Sequence, residues 1–312
     1  MTKPDVLVIV PPRPKAMAQL EATYTLHRYD EAEDKDAFLS AVGPQCVAVV
    51  TNGHAGLSAA QLGKLPHVEI VACSSAGYEA IDLAALRERG IPLTNTSDAL
   101  YDDVADVALM LTLAARRQLV PAHDYVRSGN WGRKGMYPLL SAMKGKRAGI
   151  VGLGKIGQAI ASRFEPMKLE IGYAARAEKP VRYVYFADVV AMAEWADILV
   201  VAIPGGDETR AMIGETVMDA LGPEGTLINI ARGSVVDEPA LVEALGSGRL
   251  GSAGLDVFLN EPNPDPALTS LPNVTLYPHH ASGTVETRDA MAQLVVDNLA
   301  AHFAGKPLVT PV

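Results

Sequence analysis

Cysteine is nearly absent from this chain. Its 312 residues hold two, Cys46 and Cys73, and they offer no metal-ligating spacing. Each lies in or beside an apolar run, so buried free thiols are expected in place of a disulfide. A long hydrophobic run is missing too. The longest early one, residues 6–10, is too short for a signal peptide or a membrane span, which points to the cytoplasm and away from a membrane partner. Nor is there an excess of positive charge: 27 Lys and Arg against 36 Asp and Glu leave a formal net charge of −9, which argues against a nucleic-acid partner. No internal repeat, low-complexity segment or long charged run is present. What is there, 49% hydrophobic and 20% charged residues, suits an ordinary globular protein long enough for two domains.

Short apolar runs alternate with helical patterns. VLVIV (6–10), CVAVVT (46–51), VEIVACS (68–74) and IPLTN (91–95) read as buried strands, with AMAQLEATY, LSAAQLGKL and DLAALRERG as helices between them. A second series comes later: RAGIVGLG, LEIGYAA, DILVVAI, TLINIA, SAGLDVF and VTLYPH. Such alternation predicts parallel strands with helical crossovers, an α/β fold. Between the series, residues 102–118 read as one helix that is apolar nearly all round, which predicts burial on several sides, between domains or between subunits. The closing helix, 286–305, belongs to neither series by order alone.

The stretch AGIVGLGKIGQAIASRF carries Gly152, Gly154 and Gly157 in G-x-G-x-x-G spacing, with Lys155 and Ile156 inside it. Alone the spacing is weak; between a strand and a helix it has a mechanism. Gly152 makes the tight turn, Gly154 lets backbone approach a pyrophosphate, and Gly157 allows close helix–strand packing. The helix N-terminus then supplies free N–H donors. An NAD-specific site needs an acid at the end of the next strand, but there the chain has Ala174, Ala175 and Arg176, with Glu178 two residues further into the loop. A carboxylate would repel a 2′-phosphate, whereas Arg176 can pair with it, so NADPH (NADP) is expected over NADH.

LINIARGSVVDE (227–238) places Ala231 and Arg232 where an apolar strand ends, with Gly233 to turn the chain. In open α/β sheets ligands bind beyond the carboxyl ends of strands, so Arg232 is aimed at the reactive end of the dinucleotide. The next strand leads to Asp256 and Glu261, and the one after to His279 and His280. Arg, Glu and His on three consecutive strand ends suit hydride transfer to a 2-keto acid: a cation for the carboxylate, an acid for the carbonyl oxygen, a carboxylate to keep that acid charged.

GLGKIG, NIARGSVVDEPAL, AGLDVFLNEP and PHHASGTVETR, together with SSAGYEAIDL and NTSDALYDDVADVAL, resemble the D-isomer-specific 2-hydroxyacid dehydrogenase family nearly end to end. The resemblance implies catalytic Arg232, Glu261 and His279. It implies a cofactor site of Gly152, Gly154, Lys155, Ile156, Gly157, Arg176, Ala231 and Asp256, and no metal. Substrate would be held by Ala76, Gly77, Arg232 and His279. It implies two Rossmann-like domains, a dinucleotide-binding domain (99–285) inserted in a flavodoxin-like substrate domain (1–98 and 286–312), with the cleft between them, and a homodimer. The stretch ARAEKP (175–180) is similar to the S-R-x-x-K-P of NADPH-preferring members. Small acids, glyoxylate or hydroxypyruvate and then 2-ketogluconate, are the expected substrates, with Gly53 and Gly77 leaving room at C3. His280 departs from the family, which has an apolar residue there; in an extended segment adjacent residues face opposite ways, and His279 is expected to face the cleft. His54 is a candidate ligand contact or a solvated loop residue. The 131–137 loop is a candidate contact to a partner subunit's cleft.

Other readings stay open at this point. Formate dehydrogenase shares the fold but is associated with Gln where Glu261 stands. A dinucleotide-sensing corepressor or binding module would bind cofactor without turnover. Phosphoglycerate dehydrogenase is disfavoured because the chain stops at Val312 without a regulatory extension.

Overall fold

The computed structural model describes residues 3–312 as two compact units. One runs to Leu100 and resumes at Ser282–Val312; the other is Tyr101–Ala281.

The first unit is built on a five-stranded sheet: β1 (Asp5–Val8), β2 (Thr25–Arg28), β3 (Ala48–Thr51), β4 (Ile70–Cys73) and β5 (Leu93–Thr94), in the order β2-β1-β3-β4-β5. Every pairing is parallel. Alternate residues feed two cores. Leu7, Val49 and Val71 face one side; Val6, Val8, Val50 and Ala72 face the other, where Val295 and Leu299 of the helix Val285–Phe303 cover them. That helix also anchors the tail. Buried Asn298 accepts from the Val309 and Thr310 N–H groups and donates to the Thr310 hydroxyl at 2.9 Å, and the Val312 N–H reaches the Leu93 carbonyl. Both cysteines are buried and outside any disulfide, as their apolar settings imply.

The second unit carries seven parallel strands: β6 (Arg147–Val151), β7 (Glu170–Ala174), β8 (Val184–Phe186), β9 (Ile198–Val201), β10 (Thr226–Asn229), β11 (Ser252–Leu255) and β12 (Val274–Leu276). Their order is β12-β11-β10-β9-β6-β7-β8. The chain winds outward from β6 to β8, then crosses back to lay β9 on the other side of β6. The gap between β6 and β9 is therefore the switch point where such sheets take ligands.

The helix between the two series is Ser97–Arg116, and the expectation that it is apolar nearly all round does not hold. Asp98, Asp102, Asp106 and Met110, spaced four apart, form an exposed stripe. Arg163, on the helix Lys155–Phe164, pairs with Asp106 at 2.6 Å and Asp102 at 3.1 Å. The acids thus tie two helices of one unit together. The opposite face packs so close that a Cβ on Gly254 of β11 would lie 3.1 Å from the Leu111 Cβ. Among the described residues, no helix is long and apolar enough to cross a membrane.

Candidate active site

β10, β11 and β12 are neighbours, and Arg232, Glu261 and His279 come after their carboxyl ends in that order. β10 stops at Asn229, two residues before the strand end expected from the sequence, because Asn229 turns the chain. Its Oδ1 accepts from the Ala231 N–H (3.0 Å) and its Nδ2 donates to the Arg232 carbonyl (2.9 Å). Ala231 is buried. Arg232 is extended (φ −143°, ψ 147°), its Nη1 donates to the Ala231 carbonyl at 2.6 Å, and its Cγ lies 3.0 Å from where a Gly205 side chain would begin.

Glu261 and His279 form an ion-pair geometry. His279 Nδ1 lies 2.6 Å from Glu261 Oε2, with both side chains about a quarter exposed at 28% and 26%. The other carboxylate oxygen of Glu261 accepts from the Phe258 N–H at 2.9 Å. A cavity of about 300 Å³ adjoins the pair, lined by Phe258, Pro262, Pro264, Leu276, Tyr277 and Pro278 as well as the two residues themselves. These apolar walls lower the local dielectric and strengthen a charge-assisted contact.

His279 is the histidine that meets Glu261, but not for the reason the sequence suggested. The segment is not extended there: His279 has φ 48°, in the left-handed region that a non-glycine residue seldom adopts. One residue holds it. Asp256 takes three consecutive N–H groups: its backbone carbonyl accepts from His279 (2.7 Å), its Oδ1 from His280 (2.8 Å) and its Oδ2 from Ala281 (3.2 Å). Burial pushes the Asp256 carboxyl above the ordinary carboxylate range, opposed by the His280 N–H, the charge of His279 and the Ala281 N–H. The His280 ring turns away to stack edge-on against Tyr277, 6.1 Å between centroids.

The glycine loop fits a dinucleotide. Gly152 has φ 95°, and a Cβ there would lie 2.7 Å from the Ala202 carbonyl oxygen; at Gly157 it would fall 2.0 Å from the Gly152 carbonyl oxygen. At Gly154 a Cβ would meet nothing within 4 Å, so this residue presents bare backbone to open space. Gly154 caps the helix Lys155–Phe164 without a side chain. The helix N-terminus, at Lys155 and Ile156, follows this open backbone, and a helix N-terminus is the end that suits a phosphate.

β7 ends at Ala174, and Arg176 stands exposed on the loop beyond. Three contacts stiffen that loop. The buried Tyr173 hydroxyl accepts from the Lys179 N–H (2.7 Å), Tyr185 donates to the Ala175 carbonyl (3.3 Å), and Lys179 Nζ donates to the Leu153 carbonyl in the glycine loop (2.8 Å). Lys179 thereby brings a second cation to the loop. Sequence reading met it only as the lysine of the ARAEKP stretch and did not count it among the cofactor-site residues.

In the first unit the Ala76 and Gly77 N–H groups meet no acceptor among the described residues, while the Ala76 carbonyl accepts from Asn95 Nδ2 (3.1 Å). Gly53 has a packing reason of its own: a Cβ there would sit 2.2 Å from the Gly77 carbonyl oxygen. His54 lies on an exposed turn, its N–H bonded to Asn52 Oδ1 at 3.0 Å.

Residues 109–281 match the family model described as D-isomer specific 2-hydroxyacid dehydrogenase, NAD binding domain. Two plant proteins are each 48% identical to this chain over 308 residues, with 98% of both partners covered: a hydroxyphenylpyruvate reductase of Plectranthus scutellarioides and a glyoxylate/hydroxypyruvate reductase A of Arabidopsis thaliana. A solved NADPH-dependent glyoxylate/hydroxypyruvate reductase of Sinorhizobium meliloti, in complex with NADP and malonate, is 39% identical. Its TM-score is 0.90, over 100% of this chain and 97% of that one.

Proposed function

Because this chain belongs to the D-isomer-specific 2-hydroxyacid dehydrogenase family, and is thus an oxidoreductase using a nicotinamide dinucleotide, we propose that it reduces a small 2-keto acid with NADPH. Glyoxylate and hydroxypyruvate are the first candidates and 2-ketogluconate the next; the product is the D-2-hydroxy acid. The observation that carries this reading is the 2.6 Å His279–Glu261 pair beside Arg232, in the unit that holds the glycine loop.

When bound, the nicotinamide supplies the hydride for C2. The remaining work falls to side chains of this chain. The Arg232 guanidinium takes the substrate carboxylate, for which its planar fork is suited. His279 gives a proton from Nε2, opposite the Glu261 contact, to the carbonyl oxygen; Glu261 accepts from Nδ1 and stabilises the charged ring. Asp256 fixes the turn that carries His279. Ala76 and Gly77 are assigned N–H donation to the substrate carboxylate, and His54 is given no role.

Cofactor choice is assigned to Arg176, supported by the lack of an acid at the end of β7 and by Lys179 beside the glycine loop. The test compares kcat/KM for NADPH and NADH in wild type and Arg176→Ala. Wild type is expected to prefer NADPH, and the substitution to cut the ratio by about tenfold to a hundredfold, the worth of a charge-assisted bond. Preference for NADH overturns the assignment. A second reading, an aromatic keto acid, is favoured by the plant hydroxyphenylpyruvate reductase. Turnover of glyoxylate, hydroxypyruvate, 2-ketogluconate and hydroxyphenylpyruvate side by side separates the two: higher kcat/KM for the aromatic acid replaces the first reading.

A further inference from the structure

Glu238 is a carboxylate that the chemistry above does not use. It is 7% exposed, and it opens the helix Glu238–Ser247. Its Oε2 accepts a 2.8 Å hydrogen bond from the Leu259 N–H. The preceding N–H, that of Phe258, is the one bound to Glu261 Oε1. Two carboxylates from different elements therefore receive two consecutive N–H groups of one turn. Gly233 bounds the same turn: a Cβ there would fall 2.0 Å from the Phe258 carbonyl and 2.4 Å from the Leu259 nitrogen.

Burying a carboxylate is unfavourable unless its oxygens are bonded, so a residue that only filled this space would be apolar. A first-turn acid also answers the positive end of a helix. That effect is served by an exposed side chain, however, and needs no contact with Leu259. We propose that Glu238 is a positioning residue for the proton transfer: it clamps Leu259 against Gly233, and the clamped turn sets the Glu261 carboxylate at its distance from His279. The proposal rests on the roles given above to Glu261 and His279. Glu261 and Asp256 act on His279 by charge, Tyr277 and His280 lie in the same loop, and the Arg232 cation follows the end of β10. Glu238→Gln removes the charge and keeps the acceptor, so a change seen in Glu238→Ala and absent from Glu238→Gln reports position and not lost charge.

Glu238→Ala, Glu238→Gln and Glu261→Gln are compared with wild type. Each is measured for the pH profile of keto-acid reduction, for cofactor Kd by fluorescence and for melting by circular dichroism. Glu261→Gln removes the charge that stabilises the protonated ring, so its alkaline limb is expected at lower pH. Glu238→Ala is expected to move that limb in the same direction and to lower kcat by about tenfold, a part of what a general acid contributes, with cofactor Kd unchanged. Glu238→Gln, whose amide oxygen accepts the same N–H, keeps the wild-type profile. If Glu238→Ala does not fold, Glu238→Met, of similar length but without the acceptor, carries the same expectation. A lowered kcat with an unmoved alkaline limb, while Glu261→Gln moves it, overturns the role of Glu238. So does Glu238→Gln behaving like Glu238→Ala. An unmoved limb in Glu261→Gln overturns the Glu261 reading and this proposal with it.

Discussion

Arg232 owes its direction to the residues on either side. Asn229 bends the chain out of β10, and Gly233 lets the bend lie directly on Phe258, where any side chain would collide. A cation is thus delivered beside the turn that carries Glu261. Arg232→Ala is expected to lower kcat/KM for the keto acid by about 10²–10³, the cost of removing one well-placed donor to a reacting group. Cofactor Kd, measured by fluorescence titration, is expected to stay within about twofold; a parallel fall in both would assign Arg232 to the fold. Much at this scale was legible from the chain. Residue type and strand order pointed to the trio Arg232, Glu261 and His279, because each comes after an apolar run. The left-handed backbone at His279 and its triple anchoring by Asp256 were not legible, since a turn's hydrogen bonds depend on which strands lie side by side.

Among the elements, the inner strands and the edges β5 and β12 announced themselves, and the edges β2 and β8 did not. β2 and β8 are short, partly exposed and paired on one side only. TLHR and VYF therefore lack the apolar run that marks a strand buried on both faces. The helix Ser97–Arg116 misled in the other direction: its three outward aspartates sit among so many apolar residues that the stripe shows only on the helical wheel. A prediction belongs to β9. Asp197, just before it, accepts from Lys146 Nζ at 2.7 Å and from the Arg147 N–H at 2.9 Å, tying the starts of β6 and β9 together. Burial raises its carboxyl, but the Lys146 ammonium and the Arg147 N–H outweigh burial and hold it below the ordinary range. A carboxyl lowered in the folded state stabilises above its unfolded value, and the gain is lost as pH falls through the folded one. Asp197→Asn is expected to lose about 1–3 kcal/mol at pH 7. The difference from wild type should shrink toward zero in strong acid, as read by urea unfolding across pH. A constant difference at every pH would mean that packing, not charge, is lost.

For the whole molecule, the expected homodimer now has a different surface behind it. Apart from Met110, the helix Ser97–Arg116 leaves no large apolar residue in water, whereas the segment 119–139 leaves six. These are Leu119, Val120, Val126, Trp131, Met136 and Leu139, the last two at 82% and 91% exposure. Six exposed apolar side chains within one segment of 21 residues suit an interaction face. Light scattering at micromolar concentration is expected to give twice the chain mass, and Val126→Asp with Leu139→Asp to give the monomer. A wild-type monomer would end the proposal.

The first unit is made of both ends of the chain, and that has a consequence in time. During synthesis, β1 to β5 leave the ribosome while the helix that covers one face of their sheet is still some 190 residues away, roughly ten seconds or more. Through that interval Val6, Val8, Val50 and Ala72 have no Val295 or Leu299 to lie against. The inserted unit, continuous from Tyr101 to Ala281, can close before the unit that encloses it. A chain stopped after residue 284 should therefore emerge with one finished half and one sticky half. It is expected to collect in the pellet, and a peptide of residues 285–312 supplied during refolding to return it to solution. The earliest strands of this protein wait on its latest helix, and a nascent chain needs a chaperone's cover from about one-third made until it is nearly complete.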